Sequence, residues 1–307
     1  MRKWVLKAII QKSISILPAS FEINYFFQKY VTKAVVLNEV FFNELVEQGE
    51  ILLKHLKKEG KSVNGARVFE LGTGWNPILP VLFFLCGADE ILTVDLRNLL
   101  RTENAMRVIN KFLGELEKGN LEALRADFDE QRINALKELS EQPDKDILDL
   151  MKELRVTVKV GMLDQLGLER DSFDIGYSIN VLEHVSKEAL TPIVKGMYEL
   201  TKAGGFQYHQ FGCYDHFHHV DKSISKFNYL QFSESQWRLI DNDIQPQNRL
   251  RVDYFERLFE ETGFSKITTA HSKPNLTELD KVELHSDFAT IDREVVGIDY
   301  GTILAVK

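Results

Sequence analysis

The chain is poor in the residues that staple a fold or chelate a metal through sulfur. Two cysteines, Cys86 and Cys213, stand among 307 residues and form no Cys-x-x-Cys. That argues against a disulfide framework or a structural zinc site and fits a reducing compartment, so a cytoplasmic location is expected. The chain has no low-complexity tract and no internal repeat, which argues against a linker-rich chain or a solenoid. Positive charge is not in excess either. There are 46 acidic and 38 basic residues, a net charge of −8, so general nucleic-acid binding is not expected and only a local basic patch is left for an anionic substrate. No apolar run reaches the ~18 residues of a membrane span. The N-terminal Met1-Arg-Lys-Trp-Val-Leu-Lys-Ala-Ile-Ile10 is basic and apolar, but Lys7, Gln11 and Lys12 interrupt it and no small-residue cleavage site follows before Pro18. It reads as an amphipathic helix packed on the core, with peripheral membrane contact as the alternative.

What is present is periodicity. Apolar residues at helical spacing, through Phe26, Tyr30, Val31, Ala34 and Val35 and then Phe41, Phe42, Leu45, Leu52 and Leu56, predict helices over 1–60. Strands are predicted at Ala66–Leu71, Glu90–Asp95, Val156–Met162, Phe173–Ser178, Phe206–Phe211, Ser265–Ala270 and Thr302–Val306. Between them lie predicted helices at Pro77–Cys86, from near Val181, and at Val252–Thr262, the last closed by Gly263; Gly204-Gly205 reads as a turn. Residues 97–155 are charged and helix-rich, too long for a simple crossover, and read as a helical insertion. Strands alternating with helices imply an α/β fold with a doubly wound, mostly parallel sheet. The expected organisation is an N-terminal helical cap over 1–62 and one main domain over 63–307, with the 97–155 insertion and a polar, aromatic region at 213–250.

The order strand, Gly-x-Gly, helix, strand, acid is a nucleotide-binding arrangement. Glycines let the backbone turn sharply and approach a ligand, and Asp95, about twenty residues beyond the turn, is placed to accept from ribose hydroxyls. An NAD-dependent oxidoreductase would want a third glycine at position 77, where Pro77 stands. Glu70 would repel a pyrophosphate but suits a cationic ligand such as S-adenosylmethionine. Here the sequence resembles a known family. Glu70-Leu-Gly72-Thr73-Gly74 resembles motif I of the class I S-adenosylmethionine-dependent methyltransferases, in a type 11-like pattern. Asn180-Val-Leu-Glu-His-Val185 after a strand, and Ala203-Gly-Gly205 before one, are similar to later signatures of that superfamily. The resemblance spans roughly 66–307 and implies a Rossmann-like methyltransferase fold. One departure is Asn76 where the motif has its third glycine; asparagine tolerates the left-handed conformation better than most residues.

The resemblance also implies roles. Glu70, Gly72, Thr73 and Gly74 would cradle the amino-acid end and ribose of S-adenosylmethionine, and Asp95 would bind the ribose hydroxyls. Asp164 would contact adenine, and Asn180 would face the sulfonium. Asp164 has an alternative as a turn cap, and Glu183 and His184 as packing groups.

On the acceptor side, Tyr208–Asp221 carries His209, His216, His218 and His219 and leaves the carboxyl end of the fifth strand, the edge where open α/β sheets bind ligands. A hydroxyl acceptor needs a proton removed, which suits histidine. His216 is the first choice as base, with His219 and then His209 in reserve. Asp215, His216, His218, His219 and Asp221 match no recognised metal spacing, and no metal is assigned. Arg249 or Arg251 is a candidate for an acceptor carboxylate or phosphate, and Phe217, Tyr229, Phe232 and Trp237 line either a pocket or the core. The segment from Ser223 to Arg251 resembles methyltransferase-like proteins of bacterial glycan and natural-product pathways. The expected function is O-methylation of a small-molecule or saccharide acceptor. An NAD-dependent oxidoreductase and a non-catalytic S-adenosylmethionine-binding protein are the alternatives.

Overall fold

The computed structural model describes residues 2–17, 20, 22–23, 25 and 37–307. Phe26, Tyr30, Val31, Ala34 and Val35, expected to be helical, lie outside the described residues. Among the described residues there are seven strands: β1 (Arg67–Leu71), β2 (Glu90–Asp95), β3 (Val156–Val160), β4 (Phe173–Ile179), β5 (Thr201–Gly212), β6 (Ser265–His271) and β7 (Tyr300–Val306). Their order in the sheet is β3-β2-β1-β4-β5-β7-β6. β1 pairs in parallel with both β2 and β4, and β2 with β3. β7 runs against β5, because the Lys307 amide donates to Gly205 at one end and the Cys213 amide to Asp299 at the other. The α/β fold with a mostly parallel sheet is therefore as expected.

The described residues divide into two compact units. The first, here the glycine-turn unit, gathers those within 34–179, 196–208 and 306–307. Helix α1 (Lys3–Ser15) belongs to the other unit, and helix α2 (Glu39–Lys58) to this one. Helix α3 (Ile78–Leu85) reads Ile-Leu-Pro-Val-Leu-Phe-Phe-Leu, and every one of its residues is buried. A helix apolar all round needs neighbours on all sides. One of them is α2, which buries Phe42, Val46, Leu52, Leu53 and Leu56. The approach is close at Gly49, where a Cβ would collide with Leu82 Cδ2. Between β2 and β3 come four helices, α4 (Thr102–Glu117), α5 (Glu122–Arg125), α6 (Glu130–Ser140) and α7 (Ile147–Glu153). The apolar stripe of α4, including Ala105, Val108, Ile109 and Phe112, is buried, and Phe112 meets Phe42 edge-on at 4.9 Å.

The second unit, here the histidine unit, gathers the described residues within 1–33, 180–195 and 209–305. Its core is aromatic: Phe217, Phe227, Tyr229, Trp237 and Phe288 are buried together with Ala8 of α1. Trp4 packs on Phe217 and Phe232, and Lys12 donates to the Asp241 carbonyl at 2.7 Å, so α1 is docked on the 213–250 region. Among the described residues no helix is long and apolar enough to cross a membrane. Helix α8 (Lys187–Leu200) begins later than the expected start near Val181. Asn180 adopts φ +55°, and Leu182–His184 forms a 3-10 turn whose flanking carbonyls, Leu182 and Val185, both accept from the Asn248 amide at 2.8 Å. Gly204-Gly205, expected as a turn, lies inside β5, with the Gly204 amide bonded to Lys307. Helix α9 (Glu234–Ile240) is closed at its start by a capping box from Ser233 and Gln236, and α10 (Val252–Thr262) ends on left-handed Gly263.

The structure corrects the expectation for the two arginines. Arg249 is buried and donates to the Tyr229 and Phe232 carbonyls and to Glu234. Arg251 is 1% exposed and donates to the carbonyls of Cys213, Val296 and Ile298 and to the Tyr229 hydroxyl. Both guanidinium groups are committed to the fold and neither is offered to an acceptor anion. Removing Arg251 strands several buried acceptors, each at about 1–3 kcal/mol. Arg251→Met is expected to lose at least about 3 kcal/mol in urea denaturation; an unchanged midpoint would refute this account of the buried guanidinium.

Candidate active site

The glycine turn follows β1. Gly72 and Gly74 have φ of +87° and +63°, which L side chains rarely adopt. The Gly72 amide donates to the Val94 carbonyl at 2.7 Å, and the Gly74 amide to Asp95 Oδ2 at 3.1 Å. Asp95 Oδ1 accepts from the Arg97 amide at 3.1 Å. Burial raises the Asp95 pKa, against these bonds to its ionised form. A Cβ at Gly74 would meet nothing within 4 Å, so the turn faces open space and glycine is needed there for conformation, not for packing. The expectation for Asn76 is corrected: among the described residues the non-glycine positions with positive φ are Arg155, Asp171, Asn180 and Lys266. The asparagine that takes the left-handed form is Asn180, at the end of β4. Asn76 instead leaves its Oδ1 buried without a hydrogen-bond partner beside the turn.

Strand register places three polar side chains in a row across the sheet. Glu70 of β1 is opposite Thr93 of β2 and Tyr177 of β4. Tyr177 donates to Glu70 Oε1 at 2.8 Å and Thr93 to Oε2 at 2.6 Å. With the Thr93 proton so committed, the Thr73 hydroxyl donates to Thr93. Glu70 is buried, and desolvation pushes its pKa up to about 7 despite both hydroxyl donors. Thr93 and Tyr177 were not picked out from the sequence. Their signal is register, since each faces Glu70 from an adjacent strand.

At the carboxyl edge of the same strands stand apolar side chains that sequence reasoning also missed. Leu96 directly follows β2 and is 64% exposed, and Met162, two residues beyond β3, is 46% exposed. The Gly161 amide bonded to the Asp95 carbonyl holds these two chain segments side by side. Asp164 is exposed on the 3-10 turn Leu163–Gln165 just beyond. Open glycine backbone, an acid at the end of β2, exposed apolar surface and an orphaned amide oxygen at Asn76 fit a ligand with a ribose, a flat base and a polar chain.

In the histidine unit, the 3-10 helix His216–His219 follows β5. His209 is fully buried within β5 against Phe259, and desolvation pushes its pKa down to about 3, so it packs as a neutral ring. His218 Nδ1 donates to the Ile224 carbonyl at 2.8 Å. His219 Nε2 pairs with the Tyr214 hydroxyl at 2.9 Å and is exposed at the residue level. His216 is half-buried, 4.9 Å from the His184 ring and 5.8 Å from that of His219. Asp215 caps the short helix through Phe217 and accepts from Asn228, and Asp221 accepts from Trp4 and Ser223. Phe217, Tyr229 and Trp237 are core residues, and Phe232 stacks on Trp237.

Residues 110–208, about a third of the chain, match the family described as a methyltransferase domain. The match identifies a methyltransferase domain in this part of the chain, a family that takes S-adenosyl-L-methionine, in line with the motifs around it. The match does not include the Glu70–Gly74 turn, whose geometry stands on its own. No curated protein matches the chain. Among solved structures, it is similar to Haemonchus contortus phosphoethanolamine N-methyltransferase 2 in complex with S-adenosyl-L-methionine, at 16% identity and a TM-score of 0.47, over 85% of this chain and 52% of that one. The chain thus spans about half the length of that enzyme. It is also similar to a methyltransferase from Archaeoglobus fulgidus (13% identity, TM-score 0.42, 88% of this chain and 100% of that one). A third is the geranyl diphosphate C-methyltransferase of Streptomyces coelicolor (15%, 0.46, 85% and 78%).

Glu70 makes stability depend on pH. The unfolded chain releases its proton near the ordinary value of 4.5, whereas the fold keeps it until about 7. The folded state therefore holds the extra proton across that interval, and stability falls as pH rises through it, by about 3 kcal/mol in all. Glu70→Gln is expected to flatten this slope in urea midpoints taken from acid to neutral pH. An unaltered slope would show that another group carries it.

Proposed function

We propose that this methyltransferase acts on a hydroxyl of a small-molecule or saccharide acceptor, with a histidine of the His216–His219 helix as general base. The observation that carries the reading is the position of that helix: it leaves the carboxyl end of β5, the ligand edge of such sheets, and presents His216 and His219 with ring nitrogens that are not used to cap the backbone. The cofactor supplies an electrophilic methyl group on a positively charged sulfur. The acceptor oxygen forms the new bond to carbon as the carbon–sulfur bond breaks, and its proton passes to the histidine.

For the cofactor, Gly72 and Gly74 offer backbone at close range, Asp95 the ribose contacts, Asp164 the contact to the adenine amino group, and Leu96 and Met162 the apolar walls for the base. Glu70, through Thr93 and Thr73, orders the turn and in its ionised form attracts the cationic amino-acid end. Asn180, in its left-handed conformation, is assigned to the sulfonium side. His209 is left out of the acceptor machinery because it is closed in the core. In a cytoplasmic setting no membrane partner is needed.

Two measurements test this. Calorimetry with S-adenosylmethionine should show affinity rising as pH passes about 7 in the wild type and flat in Glu70→Gln, and about tenfold weaker binding in Gly72→Ala, whose methyl group strains a left-handed position by about 1–2 kcal/mol. Isotopically labelled S-adenosylmethionine incubated with protein and a small-molecule extract should put label on an oxygen, with kcat reduced about a hundredfold or more in His219→Asn. Label appearing only on nitrogen or carbon would remove the hydroxyl reading, and no label in any fraction would favour a binding protein without catalysis.

A further inference from the structure

Two turns of the histidine unit bring metal-ligating side chains together from distant parts of the sequence. One ligand atom each from Glu183, His184 and His216 lies within 4.8 Å of the others. Glu183 is 1% exposed. Its Oε1 accepts from the Gly212 amide at 3.0 Å, and its Oε2 is buried with no hydrogen-bond partner. A buried acceptor left alone is destabilising, more so when charged, and needs a cation or a donor to offset it.

The imidazoles are prepared in the way ligands are. His184 Nδ1 lies 2.6 Å from the Pro246 carbonyl. A carbonyl only accepts, so Nδ1 carries the proton and Nε2 keeps a free lone pair. Metal-bound histidines are oriented by this kind of bond from the opposite nitrogen. The same tripeptide braces the other ligand positions. Gln247 Oε1 accepts from the His216 amide at 3.2 Å. Asn248 donates its amide to the Glu183 carbonyl and its side chain to Leu182 and Val185, on either side of Glu183 and His184. Pro246, Gln247 and Asn248 thus hold the His184 ring, the His216 backbone and the turn that carries Glu183. Both histidines are half-buried, not sealed, so one side of the cluster is reachable.

We propose that Glu183, His184 and His216 form a binding site for a first-row divalent transition cation. One carboxylate and two imidazoles suit Zn²⁺, Mn²⁺ or Fe²⁺, whereas Mg²⁺ and Ca²⁺ favour oxygen ligands. With metal–ligand bonds of about 2.0–2.2 Å, ligand atoms stand roughly 3–4 Å apart, so rotation of the side chains by about 1 Å closes the cluster. Three protein ligands leave coordination positions open. The use of the ion rests on the methyl-transfer reading: it would hold the acceptor oxygen, with His216 serving as ligand and His219 as base. Its binding does not rest on that reading.

The full chain, stripped with a chelator, is titrated with Zn²⁺, Mn²⁺ and Mg²⁺ by calorimetry, and bound metal is counted by mass spectrometry. One equivalent of Zn²⁺ or Mn²⁺ is expected, with Mg²⁺ about tenfold weaker or worse. Glu183→Gln and His216→Asn should each weaken binding by about tenfold or more, while His218→Asn binds as wild type. Gly72→Ala, impaired for the cofactor, should also take the metal normally, so failure of the cofactor reading leaves this result standing. No saturable uptake by the wild type, or wild-type uptake by both ligand variants, overturns the site. Should both ligand variants fail to fold, the melting temperature of the wild type decides: a rise on adding Zn²⁺ or Mn²⁺ supports the site, and no rise overturns it.

Discussion

Asp95 is the joint on which the glycine-turn unit depends. Its carboxylate accepts from the Gly74 amide and its carbonyl from the Gly161 amide, so one residue at the end of β2 fastens the chain leaving β1 and the chain leaving β3. Neither neighbour could be so fastened in ordinary backbone geometry: Gly74 and Gly161 both take positive φ. The same constraint fixes what the edge presents. Once the three chain ends are tied together, Leu96 and Met162 stand on the surface beside the open turn.

Each unit also carries a buried charged group, and the contrast between them separates structure from function. Arg251 is surrounded by three carbonyls and a hydroxyl, acceptors that suit its planar donors, while its Nε is buried without a partner. It fastens the chain leaving β5 to the segment before β7. Glu70 has hydroxyl donors and no cation, and its pKa comes to rest near 7. A group poised there responds to a small change in its surroundings, and an approaching positive charge is such a change. A guanidinium ringed by fixed carbonyls makes a scaffold; a carboxyl poised near neutrality is one whose charge a ligand can change.

Much of this was legible in the chain. β2 and α10 fall where the alternation and the closing glycine put them, and the strand, Gly-x-Gly, strand, acid order located the turn, because those signals are local. Long-range bonds were not legible. Asn248, some sixty residues away, holds the Leu182–Val185 turn and so delays α8. Arg249 and Arg251 read as candidates for an acceptor anion, since nothing nearby in sequence announces the carbonyls of Tyr229, Val296 and Ile298 that take up their donors. Asn76 and Asn180 exchanged expectations for a similar reason. The motif position drew attention to Asn76, but the left-handed residue is the one whose amide must reach the Gln210 carbonyl, and that is Asn180.

The histidine-rich segment shows the limit most clearly. The spacing of Asp215, His216, His218, His219 and Asp221 matches no metal site, and successive residues of a 3-10 helix point about 120° apart, so neighbours in the chain diverge in space. Asp215, His218 and Asp221 turn to backbone groups or to nearby side chains, as short polar loops must to satisfy their own amides and carbonyls. His216 is the one whose ring meets Glu183 and His184, which come from the turn after β4. A search by spacing therefore groups the wrong partners. The grouping that exists is set by Pro246, Gln247 and Asn248, which pin two turns to a common wall, and by a carboxylate oxygen at Glu183 that the fold buries without giving it a donor.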